Sequence, residues 1–189
     1  MTQWRKSWWA AVRLLLVATV VLGVGYTGVG LLVGLAMPHQ AHGSLISVGG
    51  TEVGSTLIGQ DFTGAGWFVG RPSAVSYDAM GSGASNLGPN NVDLVAAINE
   101  RRAAIAAREG VDPATVPADA VTASASGLDP DISVAYALMQ VPRVARERGM
   151  TEADVRAAIN AATQSAPLGF IGEDAVNVVV LNAGLAARQ

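Results

Sequence analysis

The segment Leu14–Met37, LLLVATVVLGVGYTGVGLLVGLAM, decides the architecture because it runs for 24 residues without a charged side chain. As a helix it would be about 36 Å long, enough to cross a ~30 Å hydrocarbon core. We therefore predict a short N-terminus at 1–13, a transmembrane helix at 14–37 and a folded domain at 38–189. The alternative is a cleaved signal peptide, since Gly34-Leu35-Ala36 resembles a cleavage site, but a signal core has only about 7–15 apolar residues.

Aromatic and basic residues are distributed unequally around this segment. No basic residue follows it before Arg71, whereas three tryptophans and three basic residues precede it: Trp4, Trp8, Trp9, Arg5, Lys6 and Arg13. Indole rings favour the membrane interface, and basic residues favour the cytoplasmic side of a span. We expect residues 1–13 in the cytoplasm and residues 38–189 outside the cell.

Small residues recur along one side of the predicted helix. Gly23, Thr27, Gly30 and Gly34 are spaced 4, 3 and 4 residues apart, so they share one helical face. In lipid, small residues let a second helix approach closely. We predict that this face meets a partner helix. The alternative is that the glycines reflect only the general glycine content of membrane helices.

The remainder of the chain has the composition of an acidic domain. Residues 38–189 hold nine arginines and fifteen acidic residues, a net charge of −6. This charge disfavours binding to nucleic acid or to anionic lipid. The chain has no cysteine and its single lysine is Lys6, which excludes disulfides, thiolate metal sites and a Walker-type phosphate loop.

Glycines and short apolar runs alternate after the predicted span. Strands are predicted at Ser55–Ile58 and Trp67–Val69, each bounded by turn residues. Residues 71–91 are rich in glycine, serine, proline and asparagine and predict a long loop, which is usually functional or disordered.

A helix is predicted from Val92 to Glu109, with Asn90 or Asn91 as its N-cap and Gly110 as its end. An apolar stripe along it indicates a buried side. We interpret its arginines as a solvated face: Arg101, Arg102 and Arg108.

The last third of the chain alternates predicted strands and helices. Val121–Ala123 predicts a short strand, and Ser133 can cap a helix that Pro142 must end or restart. Thr151 begins another helix, and the β-branched run Val176–Leu181 predicts a mostly buried strand. We therefore predict an α/β fold: a single N-terminal transmembrane helix followed by a small mixed α/β extracytoplasmic domain.

The residue sets that catalysis requires are missing from the sequence. There is no Gly-x-Ser-x-Gly nucleophile elbow and no histidine after His42. His39 and His42 stand at i, i+3 beside Pro38 and are typical of a junction loop rather than a metal site. Asp129 and Asp131 stand in a proline turn and are interpreted as capping or solvated groups. We predict no catalytic residues and no metal site.

Six segments, taken in order, carry a resemblance to a known family: Gly43–Ile46, Phe68–Ala74, Gly83–Asn90, Val121–Ser133, Gln140–Ala145 and Leu168–Val178. Together they resemble the KdpC family, the C subunit of the potassium-transporting Kdp ATPase, over essentially the whole chain. Two positions depart from the family pattern. Asp131 replaces a usual histidine, whose role cannot be carried over, and Asp174-Ala175 replaces a usual Pro-Arg pair.

The resemblance implies a non-catalytic accessory subunit of an ATP-driven complex that imports potassium across the bacterial plasma membrane. Its implied partners are a channel-like potassium-binding subunit and a P-type ATP-hydrolysing subunit. The resemblance also implies a rise in the ATP affinity of the hydrolysing subunit. The part likened to a nucleotide signature comprises Ser124, Ser126, Gly127, Leu128 and Asp129, together with Gln140.

ATP is cytoplasmic, whereas the charge bias places residues 38–189 outside. We therefore expect assembly and contact with the channel-like subunit, no tightly bound cofactor, and ATP only in a complex with the pump subunit. For residues 124–129 the alternative is a capped turn between a strand and a helix. For the whole chain the alternative is a membrane-anchored extracytoplasmic binding module or enzyme unrelated to potassium transport.

Overall fold

The computed structural model describes residues 2–187 and divides into two units, with the boundary between Ser44 and Leu45. The first unit is helical, and its helices are α1 (Thr2–Ala18), a π-helical segment (Thr19–Tyr26), α2 (Thr27–Ala36) and α3 (Pro38–Ala41). The stretch Gln3–Ala36 is long and apolar enough to cross a membrane. The predicted apolar N-terminal helix is therefore present, and it extends N-terminally beyond the charge-free segment.

The second unit combines a hairpin, a small sheet and five α-helices within the described residues. Strands β1 (Leu45–Val48) and β2 (Thr51–Ser55) pair antiparallel. The sheet is antiparallel with the order β3 (Asp131–Ser133), β5 (Ala175–Asn177) and β4 (Thr163–Gln164). The helices are α4 (Val92–Glu109), α5 (Ala118–Val121), α6 (Val134–Arg148), α7 (Glu152–Ala162) and α8 (Val178–Ala186). The predicted mixed α/β domain is confirmed.

The N-terminal hairpin lies earlier than the predicted strand Ser55–Ile58. Strand β2 ends at Ser55, whose hydroxyl accepts a hydrogen bond from the N–H of Leu57 at 3.1 Å and forms a turn. Gly49 and Gly50 connect the strands with φ of +59° and +83°. Two consecutive positive φ angles define the turn that best matches the twist of a two-residue hairpin.

Two predicted strands overlap helices in the structure. Val121–Ala123 was predicted as a strand, but Val121 ends α5, and Thr122 follows it as the C-cap. Val176–Leu181 was predicted as one strand, but only Val176 and Asn177 pair, as the end of β5, and α8 begins at Val178. The Asn177 side chain caps α8 by accepting a hydrogen bond from the N–H of Val180 at 3.0 Å. A run of buried valines fits either element, so the cap decides.

Helix α6 continues through Pro142, contrary to the prediction that this proline ends or restarts it. An internal proline costs a helix about 3 kcal/mol. Val141 and Val144 flank it and are fully buried, and each buried side chain of this kind contributes about 1.5–3 kcal/mol. Tertiary burial of α6 therefore outweighs the local penalty, and the helix ends only at Gly149, which has a φ of +64°.

The core of the domain lies where α6, α7 and α8 pack together and against the sheet. The largest buried side chains there include Tyr136, Ile159, Leu181 and Leu185. Phe68 joins this core from the irregular segment that precedes the long loop. Helices α6 and α8 both contact the segment 65–69, through Gln140 and Asn182.

Candidate functional site

Gln140, the residue likened to part of a nucleotide signature, is fully buried on α6 and binds the backbone of Val69. Its Oε1 accepts a hydrogen bond from the N–H of Val69 at 2.9 Å, and its Nε2 donates to the Val69 carbonyl at 3.1 Å. A carboxamide is the neutral side chain that can donate and accept in this paired way. Gln140 therefore gives Val69 the pair of backbone hydrogen bonds that a neighbouring β-strand would otherwise provide.

Asn182 on α8 forms the same pair of bonds with Phe68. Its Oδ1 accepts from the N–H of Phe68 at 3.0 Å, and its Nδ2 donates to the Phe68 carbonyl at 2.9 Å. The predicted strand Trp67–Val69 is consequently wrong, because side-chain amides from two helices replace the ladder of a sheet. Buried backbone groups must find partners, and these two amides supply them.

A buried ion pair holds the preceding residues of the same segment. The Arg143 guanidinium is 4% exposed and the Glu109 carboxylate 0% exposed, with Nε 3.0 Å from Oε2. Arg143 Nη1 donates to the carbonyls of Ala65 and Trp67 at 2.5 and 2.9 Å, and Nη2 donates to Gln140 Oε1 at 2.8 Å. Sequence reasoning missed this pair, although Arg143 stands inside one of the segments that carry the family resemblance.

The signature-like segment, residues 124–129, forms a turn that is closed by its own hydroxyl groups. Ser124 Oγ accepts from the N–H of Gly127, and Ser126 Oγ accepts from the N–H of Leu128, both at 3.1 Å. Gly127 has a φ of +69°, and a Cβ there would lie 2.5 Å from a Val75 methyl. Only glycine fits this position without displacing the packed loop.

The same segment binds the long loop 71–91, which is irregular throughout, as predicted. The Ser124 N–H donates to the Pro72 carbonyl at 2.9 Å, and the Ser73 hydroxyl donates to the Gly127 carbonyl at 2.7 Å. Arg71 Nη1 lies 2.9 Å from Asp129 Oδ2. The signature-like segment thus anchors the beginning of the loop by backbone and ionic contacts.

Gln140 and the signature-like segment act on successive parts of one stretch of chain. Gln140 holds Val69, whereas the segment 124–129 holds the chain from Arg71 to Ser73. Within residues 2–187, no direct hydrogen bond joins Gln140 to the segment. The backbone N–H groups of Gly127 and Leu128 are already bound to serine hydroxyls, so they do not form a cradle for phosphate.

Asp131, which stands where the family usually has histidine, is a half-buried carboxyl in strand β3. Its backbone N–H donates to Asp129 Oδ1 at 3.0 Å. Burial first, and then the charge of Asp129, raise the pKa of Asp131, while the neighbouring Asn177 side chain opposes the rise. Its Oδ1 is buried and has no hydrogen-bond partner among the described residues. Ionisation of Asp131 therefore destabilises the folded domain relative to its protonated form.

Arg101 and Arg108 of α4 line a cavity of about 340 Å³. Arg108 is exposed, as predicted, whereas Arg101 is half-buried. Arg101 Nη1 donates to the Val121 carbonyl at 3.1 Å, and Arg108 Nη2 donates to the Tyr136 hydroxyl at 3.0 Å. Arg102 is outside this lining and contacts the side chain of Asn99 instead.

The small residues of the predicted partner face lie on exposed helical surface. Thr27, Gly30 and Gly34 belong to α2, whereas Gly23 lies in the π-helical segment, whose wider turn changes its position relative to α2. A Cβ at Gly30 would have no neighbour within 4 Å among the described residues. A Cβ at Gly34 would lie 3.6 Å from the Cβ of Ala41, so the face is open at Gly30 and partly covered at Gly34.

The apolar N-terminal helix and the α/β domain define a membrane-associated protein with one candidate span. A family model for KdpC, described as the c chain of K⁺-transporting ATPases, matches residues 8–187. The potassium-transporting ATPase KdpC subunit of Kineococcus radiotolerans is 51% identical over 174 residues, covering 91% of this chain and 89% of the relative. The corresponding subunit of a Janthinobacterium species is 49% identical over 177 residues, covering 90% and 92%.

The chain belongs to the KdpC family and is therefore a subunit of a potassium-transporting ATPase of this kind. The resemblance inferred from the six ordered segments is confirmed. The match includes most of the apolar helix as well as the domain that follows it.

Proposed function

We propose that this chain is a non-catalytic accessory subunit that assembles and stabilises a high-affinity, ATP-driven potassium import complex. Its partners are a channel-like potassium-binding subunit and a P-type ATP-hydrolysing subunit. The observation that carries the proposal is the family match over residues 8–187, which spans both the apolar helix and the domain.

Two of the carboxylates described above are held in ion pairs, which supports a non-catalytic role. Glu109 is shared between Arg108 and Arg143, and Asp129 is paired with Arg71. Each of these carboxylates bonds a guanidinium and stabilises a loop, so neither is free to act as an acid or base. The domain also has no histidine after His42.

The domain acts from outside the cell, where it contacts the channel-like subunit. This assignment rests on the three basic residues before the apolar segment and on the absence of any basic residue from there to Arg71. The helix remains attached in the mature protein, in the bacterial plasma membrane, with its N-terminus in the cytoplasm.

The open face of α2 binds a helix of a larger subunit. Replacing Gly30 or Gly34 by leucine would hold a partner helix away, because close approach in lipid depends on small residues. Gly28→Leu is the matched control, since it makes the same change in α2 off this face. We expect Gly30→Leu and Gly34→Leu, but not Gly28→Leu, to reduce co-purification of the larger subunits. Equal recovery from all three variants would contradict the proposed face.

An effect on ATP affinity would be indirect, exerted by contact with the hydrolysing subunit. The turn at Ser124–Asp129 uses its own N–H groups internally, and Gln140 is committed to Val69 and Arg143. Calorimetric titration of the detergent-solubilised full chain with ATP should therefore detect no micromolar site. A micromolar site would overturn this part of the proposal.

The assembled state separates this proposal from an anchored enzyme or a free-standing binding module. Blue-native electrophoresis of membranes should show the chain migrating with larger subunits. Migration of the whole population as a small species would contradict an accessory role.

A further inference from the structure

One face of α4 borders the cavity of about 340 Å³ with two cations. Arg101, Ala104, Ile105 and Arg108 follow the i, i+3, i+4, i+7 spacing of a single helical face, and all four line the cavity. Arg71 lines it from the long loop. Three guanidinium groups therefore border one cavity in a domain whose net charge is −6.

The charges around the cavity are incompletely balanced. Asp61 is the single carboxylate among the described lining residues. Arg101 bonds the Val121 carbonyl but forms no ion pair within residues 2–187. Glu109, which neutralises Arg108, is shared with Arg143. At least one cation at the cavity is thus without a counter-charge from the described protein.

Arg71 adds an unsatisfied donor. Its Nη1 pairs with Asp129 at 2.9 Å, but its Nε is buried and has no hydrogen-bond partner in the described part of the chain. A buried donor without an acceptor has an unfavourable free-energy cost, which is larger when the donor is charged. The Arg71 guanidinium, which lines the cavity, therefore keeps one donor that the described protein does not use.

The two tyrosines that line the cavity add no negative charge to it. Burial, and then the charge of Asp61, raise the pKa of Tyr77 to about 12. Burial is also the main cause that raises the pKa of Tyr136. Both tyrosines are neutral phenols at physiological pH. Phe62, Pro72 and Ile105 supply apolar wall.

We propose that this arginine cavity, bordered by Arg71, Arg101 and Arg108, binds a small organic oxyanion: a carboxylate or phosphate group carried on an apolar body. Guanidinium groups match the geometry of both oxyanions and bind them with charge-assisted hydrogen bonds. A volume of about 340 Å³ lies within the range of small-molecule pockets. The inference is separate from the proposed function, because the polar ribose and triphosphate of ATP do not match a pocket for a single oxyanion on an apolar body.

The test is calorimetric titration of the detergent-solubilised full chain with phenyl phosphate, benzoate and inorganic phosphate. We expect phenyl phosphate or benzoate to bind, and to bind more tightly than inorganic phosphate. Absence of binding by both organic probes would overturn the proposal. Inorganic phosphate binding as tightly as phenyl phosphate would overturn the part that concerns the apolar body.

Two exposed neighbours on α4 provide matched variants with the same change in charge. Ala104 lines the cavity and Ala103 does not. Ala104→Glu places a carboxylate among the arginines and should weaken the organic probe at least about ten-fold, because like charges in contact repel. Ala103→Glu should leave the affinity unchanged. Thermal unfolding of both variants checks that they fold, and equal affinities for the two would contradict the site.

Arg101→Gln and Arg102→Gln form a second pair, independent of any added charge. Arg101 borders the cavity, and Arg102 is the adjacent residue outside it. Loss of affinity in Arg101→Gln alone supports the assignment, whereas equal loss in both variants would indicate only a general effect of surface charge.

Discussion

The carboxamide of Gln140 bonds both backbone groups of Val69, across 71 residues of sequence, with donor–acceptor distances of 2.9 and 3.1 Å. The same oxygen accepts a hydrogen bond from Arg143 at 2.8 Å. Gln140 is fully buried, so these bonds lie away from water. The residue likened to part of a nucleotide signature therefore stabilises the irregular chain that leads into loop 71–91.

Replacing Gln140 by leucine should destabilise this segment without any nucleotide present. The variant leaves the Val69 N–H and carbonyl without their side-chain partner, and each buried unsatisfied group costs about 1–3 kcal/mol. We expect faster amide hydrogen exchange at residues 65–70. Gln164→Leu, at an exposed position of β4, is the control. Protection equal to that of the unmodified chain would contradict the structural role of Gln140.

Removing the charge of Glu109 should be much more harmful than removing that of Glu147. Glu109→Gln leaves Arg143 buried without its counter-charge, a change that typically costs about 3–5 kcal/mol. Glu147 pairs with Arg146 at the surface, where a pair contributes about 0–1 kcal/mol. The unfolding temperatures of the two variants measure the difference. Similar decreases in unfolding temperature would show that the buried ion pair contributes no more stability than the exposed pair.

Alanine substitutions at Gly127 and Gly110 separate backbone strain from steric conflict. Their φ angles are +69° and +70°, but only at Gly127 would a Cβ meet packed atoms, including the Gly83 carbonyl oxygen at 2.8 Å. Both variants carry the strain of a left-handed backbone, about 1–3 kcal/mol. Gly127→Ala should lose about 1–3 kcal/mol more from overpacking. Equal free energies of unfolding would refute the tight contact between the signature-like segment and loop 71–91.

The raised pKa of Asp131 predicts a pH-dependent gain from Asp131→Asn. Burial first, and then Asp129, raise the pKa above its ordinary 3.8. The folded protein therefore holds this proton more tightly than the unfolded chain, and stability is lost as pH rises through the folded-state pKa. Asp131→Asn should raise the unfolding temperature at neutral pH, and the gain should vanish below pH 3.8. Exposed Glu173→Gln is the control for net charge. A gain independent of pH would contradict this cause.

Local signals in the sequence predicted the elements whose ends are set by neighbouring residues. Helix α4 runs from Val92 to Glu109 as predicted, with the Asn91 side chain accepting a hydrogen bond from the N–H of Asp93 at 2.8 Å. Gly110 ends it in the left-handed conformation. Thr151 likewise caps α7. Caps act over three or four residues, so they can be recognised without knowledge of the fold.

The errors arose where distant residues decide the conformation. Phe68 and Val69 obtain their hydrogen bonds from Asn182 and Gln140, which lie 114 and 71 residues away. An extended apolar run cannot reveal that side-chain amides replace a neighbouring strand. Pro142 in α6 is a similar case, because only the packed core shows that burial outweighs the proline penalty.

The candidate sites show the same contrast between features set by local sequence and features set by distant residues. The sequence indicated the small residues of α2 and the turn at Ser124–Asp129, since both depend on local spacing. It did not indicate the arginine cavity, because Arg71 and Arg101 come from separate segments. The spacing of Arg101 and Arg108 at i, i+7 was the one local sign that these two side chains share a face.

The central claim is that an uncleaved helix holds the α/β domain outside the cell, and site-directed labelling tests it most directly. The chain has no cysteine, so Ser7→Cys and Glu173→Cys, both at exposed positions, introduce single thiols before and after the span. In intact spheroplasts, a membrane-impermeant maleimide should label Glu173→Cys. It should label Ser7→Cys only after permeabilisation, and on a chain of full length. The reverse pattern, or a mature chain that has lost the Ser7→Cys thiol, would contradict the account.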